Sequence, residues 1–113
     1  MAVTIYHNPR CSKSRQTLAL IEEKGIKPTI VSYLETPPSQ STLKDILGML
    51  DAAPGDIVRK KEAKEAGLDI SSMSDAAIVK AMTEHPAIIE RPIVVSGKNA
   101  AMGRPPESVL EIL

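Results

Sequence analysis

The feature that most constrains the fold is a strand, a helix and a second strand within the first 33 residues. Residues 2–6 read AVTIY, a β-branched and aromatic run that ends at the turn formers Asn8 and Pro9 and predicts a short buried strand. Helix formers follow Cys11 as far as Gly25, which supplies the left-handed residue that ends a helix. Residues 29–33 predict a second strand. One helix between two strands is a βαβ unit, so we expect these strands to be parallel.

The middle of the chain predicts a block of helices. Ser39 follows two prolines and is typical of an N-cap. The helix after it has one apolar face, formed by Leu43, Ile46, Leu47 and Leu50. Residues 54–67 are charged and weakly periodic and predict one or two short helices. Ser74 caps a further helix that stops near Pro86 and turns inward Ile78, Ala81 and Met82.

The last part of the chain predicts a β-hairpin and a helix. Residues 93–95 and 100–102 are the two strands, and residues 96–99 are the turn. Pro105 and Pro106 open the final helix, whose predicted apolar face is Pro106, Val109, Leu110 and Leu113. The whole order predicts an α/β, thioredoxin-like (glutaredoxin-like) fold with a mixed four-stranded sheet and a helical insertion before the final β-hairpin. We expect residues 1–113 to form one such domain.

Charge and composition exclude several classes of function. Basic and acidic residues both number 14, so bulk charge does not favour nucleic acid. A single cysteine cannot form an internal disulfide, and no apolar run has the length of a signal peptide or a membrane span. One cysteine and two distant histidines also argue against a metal site, and His85, beside Pro86, is interpreted as a helix-end residue. We therefore expect a cytoplasmic protein with no membrane, nucleic-acid or metal partner and no bound cofactor.

Cys11 lies where the first strand turns into the first helix, and this position favours a thiolate. The unpaired N–H groups of Ser12, Lys13 and Ser14 and the helix dipole stabilise negative charge there, and the same N–H groups would bind an oxyanion. Full charges are close in sequence at Arg10, Lys13 and Arg15. The alternative is that Cys11 is a small buried apolar residue. Because Ser14 stands where a C-x-x-C motif has its second cysteine, the thiol that resolves an oxidised Cys11 must come from another molecule.

Four motifs in order resemble the ArsC family of glutaredoxin-dependent arsenate reductases, most closely its short arsenate-reductase-like members. They are residues 5–15 (IYHNPRCSKSR), 33–38 (YLETPP), 91–95 (RPIVV) and 103–106 (GRPP), and the likeness runs from residue 3 to the end. The resemblance implies reduction of arsenate to arsenite in arsenical resistance. In that chemistry a cysteine thiolate attacks the oxyanion, glutathione acts as co-substrate, and glutaredoxin clears the mixed disulfide.

The resemblance also implies roles for individual residues. Cys11 matches the nucleophile, and the three arginines that hold the oxyanion match Arg59, Arg91 and Arg104. Lys60 or Lys61 could take the place of Arg59, because residues 59–68 are about two residues shorter than the family segment. His7 and Ser14 match residues that support the thiolate. A cis peptide bond is implied at Pro92, which follows Arg91.

Two other functions stay open at this point. One is a glutathione-dependent thiol transferase that acts on a different oxyanion or on a mixed disulfide. The other is a non-catalytic regulatory module like the Spx proteins, which share the fold and contact RNA polymerase. Spx proteins typically carry a C-x-x-C redox switch, and Ser14 removes that motif here.

Overall fold

A computed structural model of the protein describes residues 2–113, and the chain divides into two units. The first unit runs to Thr36 and resumes from Arg91 to Leu113, and the second is Pro37–Glu90. The second unit is therefore the helical insertion that the sequence predicts. That residues 1–113 form a single domain stays a prediction.

All four strands belong to the first unit and form one mixed sheet in the order β2-β1-β3-β4. The strands are β1 (Val3–His7), β2 (Thr29–Ser32), β3 (Ile93–Ser96) and β4 (Asn99–Met102). β1 pairs with β2 in parallel and with β3 antiparallel, and β3 and β4 form the antiparallel hairpin. The predicted βαβ opening, the hairpin and the mixed four-stranded sheet are all confirmed.

Helix α1 (Ser12–Glu23) connects β1 to β2. It ends as predicted, because Gly25 adopts a left-handed conformation with φ of 76° that residues other than glycine rarely take. Its buried residue Ile21 joins the core of the first unit, which also contains Val3, Ile5, Val94 and Val109. These side chains are aliphatic, although Tyr33, one of two tyrosines in a chain without Phe or Trp, is also buried in this unit.

The last segment of the first unit corrects the sequence prediction. Residues Pro106–Ile112 form a 3₁₀ helix, not an α-helix. A 3₁₀ helix has three residues per turn, so positions three apart lie on one face. Pro106 and Val109 are buried and Ile112 packs against the core, although the α-helical pattern had placed Leu110 on that face instead of Ile112.

The second unit contains three α-helices and three short 3₁₀ helices. The α-helices are α2 (Gln40–Leu50), α3 (Lys60–Glu65) and α4 (Asp75–Glu84), and the 3₁₀ helices are Pro54–Ile57, Ile70–Ser72 and Pro86–Ile88. Ser39 and Ser74 cap α2 and α4 as predicted, with their hydroxyl oxygens accepting from the N–H groups of Thr42 and Ala77. No helix among residues 2–113 combines the length and the apolar character needed to cross a bilayer.

Candidate active site

A tight turn places Cys11 at the start of α1. The Cys11 N–H donates to the carbonyl oxygen of Asn8 at 3.0 Å, and Pro9 takes the second position of the turn, where its fixed φ is favourable. The Asn8 side-chain oxygen accepts from the Arg10 N–H at 3.0 Å. Arg15 donates from Nη1 to the Pro9 carbonyl at 2.9 Å, so the helix braces the turn that precedes it. Cys11 is the N-cap residue, with extended backbone angles and a partly exposed side chain.

Two arginines from the other end of the chain meet the Cys11 sulfur. Nη2 of Arg104 donates to Sγ at 3.5 Å, and its Nε donates to the Arg91 carbonyl at 2.8 Å. The Arg91 side chain also acts on the sulfur and lowers the pKa of Cys11. Each of these arginines precedes a proline in a cis peptide bond, at Arg91–Pro92 and at Arg104–Pro105. The first cis bond is the one that the family resemblance implied, and the second was not anticipated.

The pKa of Cys11 is lowered from its usual value. Burial alone raises this pKa. Four other groups together lower this pKa by more than burial raises it. They are the Ser14 N–H, the Arg91 side chain, the Lys13 N–H and the charge of Arg104. The Cys11 side chain does not accept a capping hydrogen bond of the kind that a serine or aspartate oxygen accepts. The N–H groups of Lys13 and Ser14 therefore stabilise the negative charge on the sulfur because they lie close to it. The folded structure therefore favours the thiolate form of this sulfur more than an unfolded chain does.

The source of the positive charge differs from the expectation. The sequence places Arg10, Lys13 and Arg15 near Cys11, yet the cationic side chains that lower its pKa are Arg91 and Arg104. Arg15 instead bonds to the turn, and Lys13 contributes through its backbone N–H. The expectation that the three neighbouring side chains supply the charge is wrong, because Arg10 and Arg15 are exposed and the Arg15 guanidinium is held on the Pro9 carbonyl. Guanidinium groups from the residue pair before β3 and from the segment after β4 act on the sulfur instead.

His7 and Ser14 form a buried polar pair behind the cysteine. Nδ1 of His7 and Oγ of Ser14 lie 2.7 Å apart, and the Asn8 N–H donates to the same oxygen at 3.0 Å. Burial and then the charge of Arg15 lower the pKa of His7, so the imidazole is neutral at neutral pH. The Ser14 hydroxyl therefore anchors the loop, and the contact of Ser14 with the sulfur is made by its backbone N–H. Ser12 is exposed at the first position of α1.

Gly103, the first residue of the GRPP motif, is a close-packing point that the sequence pattern did not predict. Its N–H donates to the Pro92 carbonyl at 2.8 Å. A Cβ at this position would lie 2.5 Å from Oγ1 of Thr17 and 2.6 Å from Cγ of Pro92. The backbone that carries Arg104 thus rests directly on the proline after Arg91 and on α1. The sequence signal that could have predicted this close packing is a glycine directly before an arginine at the end of a strand.

Arg59 lies in the second unit, where it is ion-paired to two carboxylates. Its Nε contacts Glu62, and its Nη1 lies 2.7 Å from Oε1 of Glu90. Its backbone N–H donates to the Ile88 carbonyl at 2.7 Å. The two alternatives for this role, Lys60 and Lys61, are exposed. Which of the three residues binds an oxyanion stays a prediction.

The remaining polar candidates do not form a metal centre. His85 follows the last residue of α4, as predicted for a helix-end residue. Across residues 2–113, no group of three or more His, Cys, Asp and Glu side chains is arranged to hold a metal ion.

Comparison with known proteins places this geometry in a family. The model of the ArsC family matches residues 6–112. An arsenate reductase of Haemophilus influenzae is 50% identical, with the whole of both chains covered, and an uncharacterized protein of Escherichia coli K12 is 51% identical over 98% of this chain and 96% of its own. The solved structure of an arsenate reductase from Vibrio cholerae superimposes with a TM-score of 0.93 at 53% identity, and it covers 100% of this chain and 98% of its own.

Proposed function

The chain belongs to the ArsC family, and we propose that it is an arsenate reductase whose nucleophile is Cys11. The observation that carries this proposal is the partly exposed Cys11 sulfur, to which Arg104 donates a hydrogen bond and whose pKa is lowered by both Arg91 and Arg104. A thiolate and an arsenate dianion repel each other, so a site that brings them together needs more than one cation. Two guanidinium groups at the sulfur meet that requirement.

In this proposal the oxyanion lies against the start of α1. Arg91 and Arg104 bind its oxygens with their planar guanidinium groups, and the N–H groups of Ser12 and Lys13 contribute at the helix terminus. Each charge-assisted hydrogen bond is worth about 1.5–3 kcal/mol. Arg59 is the third arginine of the proposed set, and it must exchange a carboxylate partner for the substrate.

The reaction transfers two electrons from thiols to arsenic. The Cys11 thiolate attacks arsenate, an oxygen leaves as water after protonation, and a bond forms between sulfur and arsenic(V). A glutathione thiolate then attacks the Cys11 sulfur. The sulfur–arsenic bond breaks, its electron pair goes to arsenic, and arsenite leaves as a disulfide forms between Cys11 and glutathione.

The protein returns to its starting state with help from a second protein. A glutaredoxin thiolate attacks the glutathione sulfur of the mixed disulfide, and the Cys11 thiolate leaves. Because the sequence has only one cysteine, both the glutathione and the glutaredoxin thiols must come from outside the chain. We place the protein in the reducing cytoplasm, where these thiols are available.

The test is production of arsenite by the purified protein with arsenate, glutathione and glutaredoxin. Wild type should form arsenite, and Cys11→Ser should form none above background. Arg104→Lys keeps a positive charge but loses the planar fork, so it should raise KM for arsenate and slow turnover. If the wild type makes no more arsenite than Cys11→Ser, arsenate is not its substrate. Formation of a glutathione adduct on Cys11 in that case would favour the thiol-transferase alternative.

A further inference from the structure

A groove of about 300 Å³ lies beside the cysteine turn in the first unit. One wall is residues 7–10, which directly precede Cys11, and the other wall is Ser32, Leu34 and Glu35. Its volume is at the lower end of the range of small-ligand sites. The mechanism above assigns no role to this groove.

Both walls of the groove are held in place by backbone hydrogen bonds. On one side, the Cys11 N–H bonds to the Asn8 carbonyl at 3.0 Å. On the other side, the N–H groups of Glu35 and Thr36 both donate to the Ser32 carbonyl at 2.9 Å. A ligand would therefore meet a preformed groove, which lowers the entropy cost of binding.

The walls carry one positive and one negative side chain that are not paired with each other. Arg10 and Glu35 are both exposed and line the same groove. Within residues 2–113, no salt bridge joins Arg10 to Glu35. Leu34 lies beside them and is 44% exposed. The groove thus offers opposite charges and an apolar contact to one small ligand.

We propose that this groove binds the resolving thiol, a small zwitterionic peptide thiol such as glutathione. The inference rests on the proposed function, because it assigns a binding site to the thiol which that reaction requires. Glu35 contacts the ammonium group, Arg10 contacts a carboxylate, and Leu34 packs against the methylene groups between them. The thiol is thereby held next to the turn that presents the Cys11 sulfur.

Charge makes the other small ligand of the reaction a poorer match to this groove. Arsenate carries only negative charge, so it could pair with Arg10 but would be repelled by Glu35. A ligand with both an ammonium and a carboxylate can pair with Glu35 on one wall and with Arg10 on the other. The oxyanion therefore binds at the guanidinium groups of Arg91 and Arg104, and the thiol binds in the groove.

The test uses an exchange reaction that contains no arsenic. Cys11 is first converted to a mixed disulfide with 2-nitro-5-thiobenzoate. An incoming thiolate attacks the Cys11 sulfur, a new disulfide forms, and the coloured thiobenzoate thiolate leaves. The rates are compared for glutathione, glutathione acetylated on its amine, and uncharged 2-mercaptoethanol.

The groove variants are Arg10→Gln and Glu35→Gln. Exposed ion pairs predict a loss of about 2- to 5-fold in the glutathione rate for each, with the 2-mercaptoethanol rate unchanged. Acetylation removes the ammonium, so Glu35→Gln should no longer slow the acetylated thiol, whereas Arg10→Gln still should. The matched controls, Lys27→Gln and Glu23→Gln, remove the same charges from exposed sites outside the groove and should change no rate.

Two results would overturn the inference. One is an equal effect of either groove variant on glutathione and 2-mercaptoethanol, and the other is no effect of either variant on glutathione. If the wild-type protein does not reduce arsenate but the groove variants still slow glutathione selectively, the proposed function is refuted and the groove assignment stands. If the wild-type protein reduces arsenate but the groove variants do not slow glutathione selectively, the groove assignment is refuted and the proposed function stands.

Discussion

Adding one methyl group at Gly103, the change Gly103→Ala, should strongly destabilise the first unit. The new Cβ would lie 2.5 Å from Oγ1 of Thr17 and 2.6 Å from Cγ of Pro92. Ordinary contacts between carbon atoms are about 3.5–4.0 Å, so the methyl group overlaps both neighbours by roughly 1 Å. Neither neighbour can move easily. Thr17 is fully buried and its hydroxyl donates to the Lys13 carbonyl at 2.8 Å, and Pro92 is a buried ring.

The size of the effect follows from these contacts. Overpacking of a well-packed interior costs about 1–3 kcal/mol, and two rigid overlaps place Gly103→Ala at the upper end, about 3 kcal/mol. With an m-value of about 2 kcal/mol/M, the urea midpoint should fall by about 1.5 M. Activity should fall as well, because Gly103 directly precedes Arg104, and a shift of its backbone away from Pro92 would move the Arg104 guanidinium.

Urea unfolding of four variants tests this estimate. Gly48→Ala is the matched control, because nothing lies within 4 Å of that position in α2, and it should stabilise the protein by up to about 1 kcal/mol. Thr17→Ala vacates one of the two overlaps. Combining it with Gly103→Ala should therefore reduce the cost of the glycine change by about 1 kcal/mol. The reasoning is refuted if Gly103→Ala unfolds at the wild-type midpoint, or if its cost is the same in the Thr17→Ala background.

Three further outcomes are expected. Because the pKa of Cys11 is lowered in the folded state, its thiolate adds stability that is full above the ordinary thiol pKa of about 8.5 and is lost as pH falls through the lowered value. The unfolding free energy of wild type relative to Cys11→Ser should therefore grow as pH rises through that window, and a constant difference would contradict the lowered pKa. Ser14→Ala leaves two buried polar partners unsatisfied and should cost about 1–3 kcal/mol in urea unfolding. If Arg59 binds the oxyanion, Arg59→Gln should raise KM for arsenate while Lys60→Gln and Lys61→Gln leave it unchanged, and the opposite pattern would move the role to a lysine.

Local signals in the sequence were sufficient for most of the fold. A β-branched run, a left-handed glycine at Gly25 and serine caps at Ser39 and Ser74 each act over a few residues, and the structure confirms them. The final helix was assigned the wrong type because a short apolar segment after two prolines fits periods of 3.0 and 3.6 almost equally. Packing of Ile112 against the core, which sequence periodicity does not record, accompanies the 3₁₀ form.

Local sequence patterns predicted less of the candidate site than of the fold. The strand-to-helix position of Cys11 predicted a lowered pKa, and the structure agrees in direction. The cations responsible come from Arg91 and Arg104, which only the family resemblance had pointed to. The contact of Gly103 with Thr17 and the pairing of Arg59 with Glu90 join residues distant in sequence, so no local pattern contains them.

Cys11 and Arg104 are 93 positions apart in the sequence, so the reactivity of the sulfur depends on how far folding has progressed. In an unfolded or partly synthesised chain neither guanidinium group is near it, so it behaves as an ordinary, mostly protonated and slowly reacting thiol. Its reactivity appears only when the two chain segments meet. The rate at which a small alkylating agent labels this one atom therefore reports directly on how much of the population has completed its tertiary structure.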